Sequence, residues 1–482
     1  MPTRSLSAGA AETRPLFGPI LFSRGSDEAQ HRVDAVWVTS SNEPAEIKPM
    51  GEASAPIRLL DQVCGHYVWQ ASFALPVADT AFYLLGEQQH SVCTAIAEST
   101  RLAYVSCNGQ ENEDATWTAS ERNRVWQMLA DHHAKQPLAL LMHGGDQLYA
   151  DDIVNAHPEL AQWFLAPLPD KGGLELSPHA RSAAEHFMFE RYARLYGQPA
   201  IGQLLAQVPS LMMWDDHDIM DGWGSHPTAM LDSEIGRGLF EICRRFFLIF
   251  QRGLAPAKPD TMTYAAHYPG LSIVAPDLRS ERRPDQIMGE AGWHAAQTAL
   301  DEVPDNTQLL IMSSVPLLGP RLSWLERVAD WIPGAATYKD DLRDQWQSRS
   351  HRAEWQRMLK AVEQRAVQKR LNVTVLSGEI HLATQASMPF RNDALLTQYV
   401  ASGIAHPPPP TAFARALGWL ATLGEDPLPD QPISIKPIPG QTQIYTAQRN
   451  FLLLTNNTNE LTAQWVLERD GPTPAISVAR TL

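Results

Sequence analysis

The sequence is poor in cysteine and has no long apolar segment. Its four cysteines are too few and too scattered for the disulfide framework of a small secreted protein. No apolar run approaches the length that spans a membrane. Residues 1–15 contain neither the apolar core of a signal peptide nor a twin-arginine pair. The sequence therefore predicts a cytoplasmic protein without a transmembrane segment.

Basic residues are also scarce. The chain has 39 lysines and arginines against 54 acidic residues, and its formal net charge is −15 at pH 7. This charge argues against general binding to nucleic acids or anionic membranes, which select basic surfaces. The sequence also lacks Gly-x-Ser-x-Gly and the P-loop pattern Gly-x4-Gly-Lys-Ser/Thr, which argues against a serine hydrolase and a P-loop enzyme.

The length and composition allow a large core. The chain has 482 residues, 44% of them hydrophobic, and is long enough for two domains. Residues 1–99 contain short strand-like runs between polar turns, such as Val33–Val38 and Tyr67–Phe73, and we predict a β-sandwich-like N-terminal module there. In residues 100–482, strand-like runs alternate with helical periodicity, which predicts an α/β domain.

The most informative stretch is Met142–Asp152. The apolar run Pro137–Met142 leads into two glycines, and three acids and a tyrosine follow within a few residues. Glycines permit a tight turn, and ligands of α/β proteins bind beyond the carboxyl ends of the strands. A site is therefore expected here. The alternative is a polar loop that caps the next helix.

Three further strand-like runs end in residues that can bind metals. Leu102–Val105 leads to Cys107, Met212–Trp214 leads to Asp215–Asp218, and Val373–Leu376 leads to Glu379 and His381. Chance placement would scatter such residues along the chain. Their recurrence at four strand ends predicts a site that binds more than one metal ion.

Asp146, Tyr149 and Cys107 are the first predicted ligands. A carboxylate at the position of Asp146 can bridge two cations about 3.5–4 Å apart. The phenol and the thiol have ordinary pKa values of about 10 and 8.5, so both need a strongly polarising ion to lose their protons. Ferric iron is therefore favoured over magnesium. The alternative for Cys107 is a buried thiol without a metal.

The residues Asp215–Asp218 are predicted to divide their roles. Alternate side chains of an extended segment point to opposite sides. We assign Asp216 to the second metal and His217 to the substrate, where it protonates the leaving group or stabilises charge on a phosphoryl oxygen. Asp218 or Asp215 is expected to orient the imidazole from behind.

Other strand ends complete the candidate site. Glu379 and His381 lie two residues apart and are predicted to serve one metal each. Arg279, which follows Asp277 at another strand end, is predicted to bind phosphate through two guanidinium nitrogens or, equally, to form a structural ion pair. His406 is a further candidate. Residues 317–346 carry tryptophans and aliphatic residues at helical spacing, which favours a core-facing helix over a substrate-binding lid.

Together these residues resemble the PhoD-like (alkaline phosphatase D) branch of the calcineurin-like metallophosphatases. The resemblance rests on Ser106-Cys107, Gly145–Asp151, Asp215–Asp218, Asp277–Ser280 and Ser377–His381. Residues 215–225 look like those of an intracellular subgroup. The resemblance implies a four-layer α/β/β/α sandwich, with the small N-terminal β-rich domain beside it.

The resemblance also implies a set of metals. Fe³⁺ would be held by residues matching Cys107, Asp146, Tyr149 and His381, and Ca²⁺ would lie beside it. The expected Ca²⁺ ligands are Asp146, Asp216 and Glu379. The family's usual residue at the last position is Asp, so the longer Glu379 puts Ca²⁺ in doubt, and Mn²⁺ or Zn²⁺ are alternatives for the second ion.

The expected activity is hydrolysis of phosphate mono- or diesters of a small-molecule or lipid-like substrate. A hydroxide held by the metals would attack phosphorus, assisted by the catalytic residues His217, Arg279 and Asp218. Two alternatives stay open. One is another iron-site hydrolase or an oxidoreductase, and the other is a non-catalytic scaffold that keeps the fold.

Overall fold

The computed structural model describes residues 15–96, 99–109, 117–257, 261–320, 345–378 and 380–480. The strands are β1 (Phe17–Ser26), β2 (Gln30–Thr39), β3 (Ile47–Pro49), β4 (Ile57–Val63), β5 (His66–Pro76), β6 (Ala81–Leu85), β7 (Gln88–Val92), β8 (Ser99–Val105), β9 (Leu140–Gly144), β10 (Ser210–Met213), β11 (Tyr264–Tyr268), β12 (Leu271–Ala275), β13 (Gln308–Ser313), β14 (Asn372–Ser377), β15 (Thr384–Pro389), β16 (Leu395–Val400), β17 (Ser434–Lys436), β18 (Asn450–Asn457), β19 (Glu460–Leu467), β20 (Gly471–Pro472) and β21 (Ile476–Ala479).

The α-helices are α1 (Ala119–Arg122), α2 (Arg124–Lys135), α3 (Pro158–Leu165), α4 (Leu168–Lys171), α5 (Pro178–Tyr196), α6 (Pro199–Gln207), α7 (Thr228–Leu231), α8 (Glu234–Phe250), α9 (Glu290–Asp301), α10 (Arg352–Lys369) and α11 (Thr411–Ala421). Short 3-10 helices follow β9 and β10, at Asp151–Asn155 and Asp216–Asp218. No helix in the described part of the chain is both long and apolar enough to cross a membrane.

The strands form two large sheets and a small one. The first large sheet has the order β20-β19-β18-β8-β9-β10-β1-β2-β5-β4, with β21 paired to β19. The second has the order β11-β12-β13-β14-β16-β15-β17, and the small sheet has the order β3-β6-β7. Strands β8, β9, β10 and β1 are parallel, as are β12, β13, β14 and β16. The carboxyl ends of each parallel set therefore meet at one edge of its sheet.

The central strands are buried on both faces, which explains their continuous apolar sequences. Successive side chains of a strand point to opposite faces. In β9, Leu141 packs into a core with Trp126 of α2 and Phe246 of α8. Its neighbours Leu140 and Met142 pack instead into the core between the two large sheets.

The second large sheet is covered on its outer face by α9 and α10. Ile311 of β13 packs with Trp293 and Leu359 of these helices. Leu310 and Met312 belong to the core between the sheets. The described strands and helices form a mixed α/β fold, so the predicted α/β class is confirmed, and the four-layer order stays a prediction.

The N-terminal strands continue the first large sheet, because β1 pairs in parallel with β10. The small sheet packs against them through a core that contains Trp37, Ile47, Trp69 and Tyr83. This packing of two sheets is sandwich-like, but one of the sheets is shared with the rest of the chain. The division into domains at residue 99 stays a prediction.

Two other segments bear on the sequence predictions. The predicted C-terminal hairpin is confirmed, since β18 and β19 pair antiparallel around Asn457. Most of the segment 317–346, including Trp324 and Trp331, lies outside the described residues. Trp346 is described and is buried in the core beneath α9 and α10.

Candidate metal centre

The residues predicted for a metal site come from strand ends on one side of the molecule. Cys107 follows β8, Asp146 follows β9 and Asp216 follows β10. The first two turns are joined by their backbones, because the Cys107 N–H donates to the Gly145 carbonyl at 3.2 Å and the Asn108 N–H donates to the Asp146 carbonyl at 2.8 Å. The parallel order of β8, β9 and β10 therefore brings these side chains together.

Asp146 and Cys107 are buried and in contact. Cys107 Sγ lies 3.5 Å from Asp146 Oδ2, and the Ser402 hydroxyl donates to the same sulfur at 3.1 Å. Asp146 Oδ1 is also buried, and among the described residues it has no hydrogen-bond partner. A buried carboxylate oxygen without a donor is unfavourable unless a cation binds it.

Backbone strain marks three of the predicted ligands. Cys107, Asp146 and His381 have φ values of 55°, 54° and 50°, in the left-handed region that residues other than glycine seldom adopt. Each such residue costs on the order of 1–3 kcal/mol and persists only where the surrounding structure fixes it. Residues of this kind cluster at functional sites, which agrees with the predicted role of all three.

Gly145 allows the turns after β9 and β10 to approach each other. Its φ is 105°, and a Cβ atom here would lie 2.8 Å from the Cβ of Asp215 and 3.1 Å from the Cβ of Ser314. A larger residue would push Asp146 away from Asp215. The tight glycine turn predicted from the sequence is therefore required by the close approach.

Asp146, Asp215 and Asp216 form a buried acidic cluster. One oxygen atom from each lies within 4.8 Å of those of the other two. The fully buried Arg279 forms an ion pair with Asp215 through Nε, and its Nη2 lies 3.5 Å from Asp216 Oδ1. This guanidinium cannot balance three carboxylates, so the cluster keeps an excess of negative charge that a cation would offset.

Arg279 is fixed by its own loop. Its backbone N–H and the Trp214 indole N–H both donate to Asp277 Oδ1 at 3.1 Å, and its Nη1 donates to the Trp223 carbonyl at 3.2 Å. Arg279 thus forms a structural ion pair, but with Asp215, whereas the expected Asp277 accepts its backbone N–H. Its contact with a substrate phosphate stays a prediction.

Burial and like charge disfavour ionisation of Asp146. Burial is the largest cause, and the charges of Asp215 and Asp216 add to it, so the pKa of Asp146 is raised well above its ordinary value. A cation removes this penalty, because metal binding favours the ionised carboxylate. The oxygen donors suit Ca²⁺ or Mn²⁺, whereas the thiol and imidazole donors nearby suit iron or zinc.

Asp218 joins the turns after β9 and β10. Its carboxylate accepts the backbone N–H groups of Asp146, Leu148 and Asp215, each at 3.0 Å, and the side-chain amide of Gln251 at 2.7 Å. These donors favour the ionised form, but burial outweighs them and raises the pKa of Asp218 to about 7. Asp218 therefore holds the backbone that presents Asp146.

Asp151, which the sequence argument left without a role, orients His217. Its two carboxylate oxygens lie 3.0 Å from His217 Nδ1. The prediction that Asp218 or Asp215 does so is wrong, because residues 216–218 form a 3-10 turn instead of an extended segment. The available signal was the position of Asp151 in the same motif as Asp146.

The charge on His217 follows from its carboxylate neighbours. Burial lowers the pKa of the imidazole, but the charges of Asp151 and Asp216 and the hydrogen bond to Asp151 outweigh it. The net result is a pKa well above the ordinary value. With Nδ1 engaged by Asp151, Nε2 remains to hold a proton for a substrate.

Four aromatic rings form a stack across the site. The Tyr149 ring centroid lies 4.2 Å from that of His217 and 5.4 Å from that of His406. The His406 and His381 centroids are 3.7 Å apart. Burial lowers the pKa of His381 well below its ordinary value, and the neighbouring His406 and His217 add to this effect. The imidazole is therefore neutral, which metal binding requires. Glu379 lies outside the described residues.

The predicted ligands do not all meet within one tight cluster. Among the His, Cys, Asp and Glu residues that the structure describes, the groups of three donors within 4.8 Å are Asp146–Asp215–Asp216 and Asp216–His217–Asp221. Asp216 belongs to both groups. Cys107 contacts the first group through Asp146, and His381 contacts the ring stack through His406.

Comparisons with known proteins agree with this geometry. The family model described as "PhoD related phosphatase" matches residues 80–336. The solved structure of PhoD superimposes with a TM-score of 0.54 at 13% identity, covering 97% of this chain and 89% of that one, which shows a shared fold. An uncharacterized protein of Saccharomyces cerevisiae, YGR266W, is 22% identical, and the match covers 67% of this chain and 59% of the yeast protein.

Proposed function

The chain belongs to the PhoD-related phosphatase family, and we propose that it is a metal-dependent hydrolase of phosphate mono- or diesters. The observation that carries this proposal is the acidic cluster of Asp146, Asp215 and Asp216. Its charge exceeds what Arg279 can offset, and Asp146 Oδ1 lacks a hydrogen-bond donor among the described residues. Both facts fit a cation at the cluster.

The proposed ligands are the six residues assigned from the sequence: Cys107, Asp146, Tyr149, Asp216, Glu379 and His381. Thiol, phenol and imidazole donors support iron for one ion, and the carboxylates support Ca²⁺ or Mn²⁺ for the other, with Zn²⁺ as the alternative where an imidazole also binds it. When bound, such ions polarise a phosphoryl oxygen and supply a nucleophile at neutral pH.

His217 is the proposed general acid. Asp151 holds Nδ1, so the proton on Nε2 can pass to the leaving-group oxygen of the substrate. Burial lowers the pKa of this imidazole, but the charge of Asp151 and the hydrogen bond to it raise the pKa and favour the protonated form. Tyr149 stacks on the ring at 4.2 Å and limits its rotation.

Arg279 and Asp218 are proposed as positioning residues. Arg279 offsets part of the charge of Asp215 and Asp216, and Asp218 holds the turns that carry Asp146 and Asp215. Both act on the acids that would bind the metals. Removing either would therefore change metal affinity together with turnover.

The test is elemental analysis of the natively purified protein, with a visible spectrum and phosphoester assays on the same sample. We expect bound iron with a charge-transfer band from thiolate or tyrosinate, a second metal, and hydrolysis of bis-p-nitrophenyl phosphate or p-nitrophenyl phosphate. Asp301→Asn, a change at an exposed residue outside the site, is the control and should behave as wild type. Failure to bind iron, calcium, manganese or zinc after reconstitution would refute the proposal and favour a non-catalytic scaffold.

A further inference from the structure

Three arginines line a pocket beside Tyr149. Arg122 ends α1, and Arg191 and Arg194 lie one turn apart on α5. Tyr149 and Leu148, which follow the glycine turn of β9, form the opposite wall. We call Arg122, Arg191 and Arg194 the arginine pocket. It gathers positive charge beside the candidate metal centre in a chain whose net charge is −15.

Counting only the residues that the structure describes, the charges of this pocket are partly offset. Asp152 forms an ion pair with Arg191 at 2.6 Å. Among the described residues, no carboxylate lies within ion-pairing distance of Arg122 or Arg194. Burial lowers the pKa of Arg191, and the charge of Asp152 opposes this effect. The positive charge of the neighbouring Arg194 lowers the pKa further, as expected for two guanidinium groups that repel each other. Repulsion of this kind is relieved when an anion binds between the groups.

The arginine pocket is coupled to the candidate active site by adjacent residues. Asp151 contacts His217, and the next residue, Asp152, contacts Arg191. Tyr149 likewise stacks on His217 and lines the pocket. The turn that carries Tyr149, Asp151 and Asp152 therefore contacts both His217 and the arginine pocket.

The size of the pocket limits what it can take. The pocket is partly open to the surface, and the space in it that the centre of a water-sized group can occupy is about 20 Å³, against the roughly 10–15 Å³ that one water molecule needs. This space suits the oxygens of one anionic group. A pocket of this kind fits one charged group of a larger substrate.

We propose that the arginine pocket binds a second anionic group of the substrate, a phosphate or a carboxylate beyond the scissile phosphoester. The inference rests on the proposed function and narrows it: the substrates are phosphoesters that carry a further negative charge. Arginine suits this role, because its guanidinium binds phosphate and carboxylate oxygens through paired hydrogen bonds.

The test compares two substrate series with the metal-loaded protein. One series contains alkyl monophosphates, and the other contains α,ω-alkanediol bisphosphates with two to six carbons, which scan the distance between the two charges. We expect kcat/KM for the best bisphosphate to exceed that of the matching monophosphate by at least tenfold. Arg194→Ala and Arg122→Ala should each reduce this preference about tenfold, mainly through KM, and Arg194→Lys should restore part of it.

Arg181→Ala is the matched control. Arg181 is a half-buried arginine on the same helix and pairs with Glu241, so its loss should leave the preference unchanged. Arg194 is exposed, so its variants should fold. Hydrolysis of monophosphates without a preference for any bisphosphate, or a preference that survives both alanine variants, would overturn the inference and leave the proposed function intact. No hydrolysis of either series would overturn both.

Discussion

The N-terminal half of the first large sheet and the carboxyl edge of its centre differ in how their buried carboxylates are paired. In the N-terminal half, Asp34 accepts hydrogen bonds from Arg24 at 2.7 Å and from Gln70 at 2.9 Å. At the ends of β9 and β10, three carboxylates lie together with the guanidinium of Arg279. The carboxylate of the first region is matched by donors of the protein, whereas the three carboxylates of the second outnumber the guanidinium beside them, which fits the cation proposed there.

This difference suggests that the N-terminal half of the sheet serves stability and that the carboxyl ends of β9 and β10 serve function. Satisfied polar groups in the N-terminal half contribute to folding. The strained residues and crowded carboxylates of the other region oppose folding, which fits their proposed role in metal binding. Substitutions in the two regions should therefore have opposite effects on activity and on stability.

The largest expected effect is that of Asp146→Asn. An amide in place of the carboxylate removes a proposed bridging ligand. Bound metal ions lower the activation free energy by several kcal/mol, so their loss should reduce kcat/KM by at least about 10³-fold. The stability of the metal-free protein should stay equal or rise, because one buried charge is gone. Initial rates, metal content and thermal unfolding in a chelator measure these effects. Activity within tenfold of wild type would show that the Asp146 carboxylate is not needed for activity.

The next effect concerns the imidazole. His217→Gln should lower kcat by about 10²–10⁴, the usual contribution of a general acid. Asp151→Asn should lower it by about 10–100, since an amide orients the ring but does not stabilise its charge. Steady-state rates at several pH values, with circular dichroism as a folding check, test this order. If Asp151→Asn lost more activity than His217→Gln, the role assigned to Asp151 would be wrong.

The third effect lies in the N-terminal half. Asp34→Ala removes the acceptor shared by Arg24 and Gln70 and should lower the free energy of unfolding by about 1–3 kcal/mol. The rate per folded molecule should not change, because these residues lie outside the candidate metal centre. Denaturant unfolding and rates measured well below the melting temperature distinguish the two effects. A variant that is as stable as wild type but inactive would show that Asp34 serves activity and not stability.

Much of the fold and the candidate site could be predicted from local sequence. Apolar runs that end in glycine and acidic residues located β9 and the turn to Asp146, because the signal lies within a few neighbouring residues. The same reasoning located Cys107 and Asp216 at their strand ends. These predictions needed only the rule that parallel strands bring their carboxyl ends to one edge.

The rest depended on contacts between distant parts of the chain. The contact of His217 with Asp151 joins residues 66 positions apart, and no local pattern reveals it. The direction of Asp218 depended on a 3-10 turn where an extended segment was expected. The arginine pocket was missed for the same reason, since Arg122 and Arg194 meet only after α1 and α5 pack on the sheet.

The smallest expected effect is a pH dependence in the N-terminal half. Burial lowers the pKa of His31 to about 3, so the folded protein keeps this imidazole neutral, hydrogen-bonded to the Ser23 hydroxyl at 2.8 Å. In the unfolded chain it takes up a proton below its ordinary pKa of about 6.5, so the stability that it contributes is lost as the pH falls from 6.5 toward 3. Between pH 7.5 and 5.5 the free energy of unfolding of the wild type should fall by about 1.4 kcal/mol more than that of His31→Gln. Denaturant unfolding at both pH values measures this difference, and equal losses would show that burial does not hold His31 neutral.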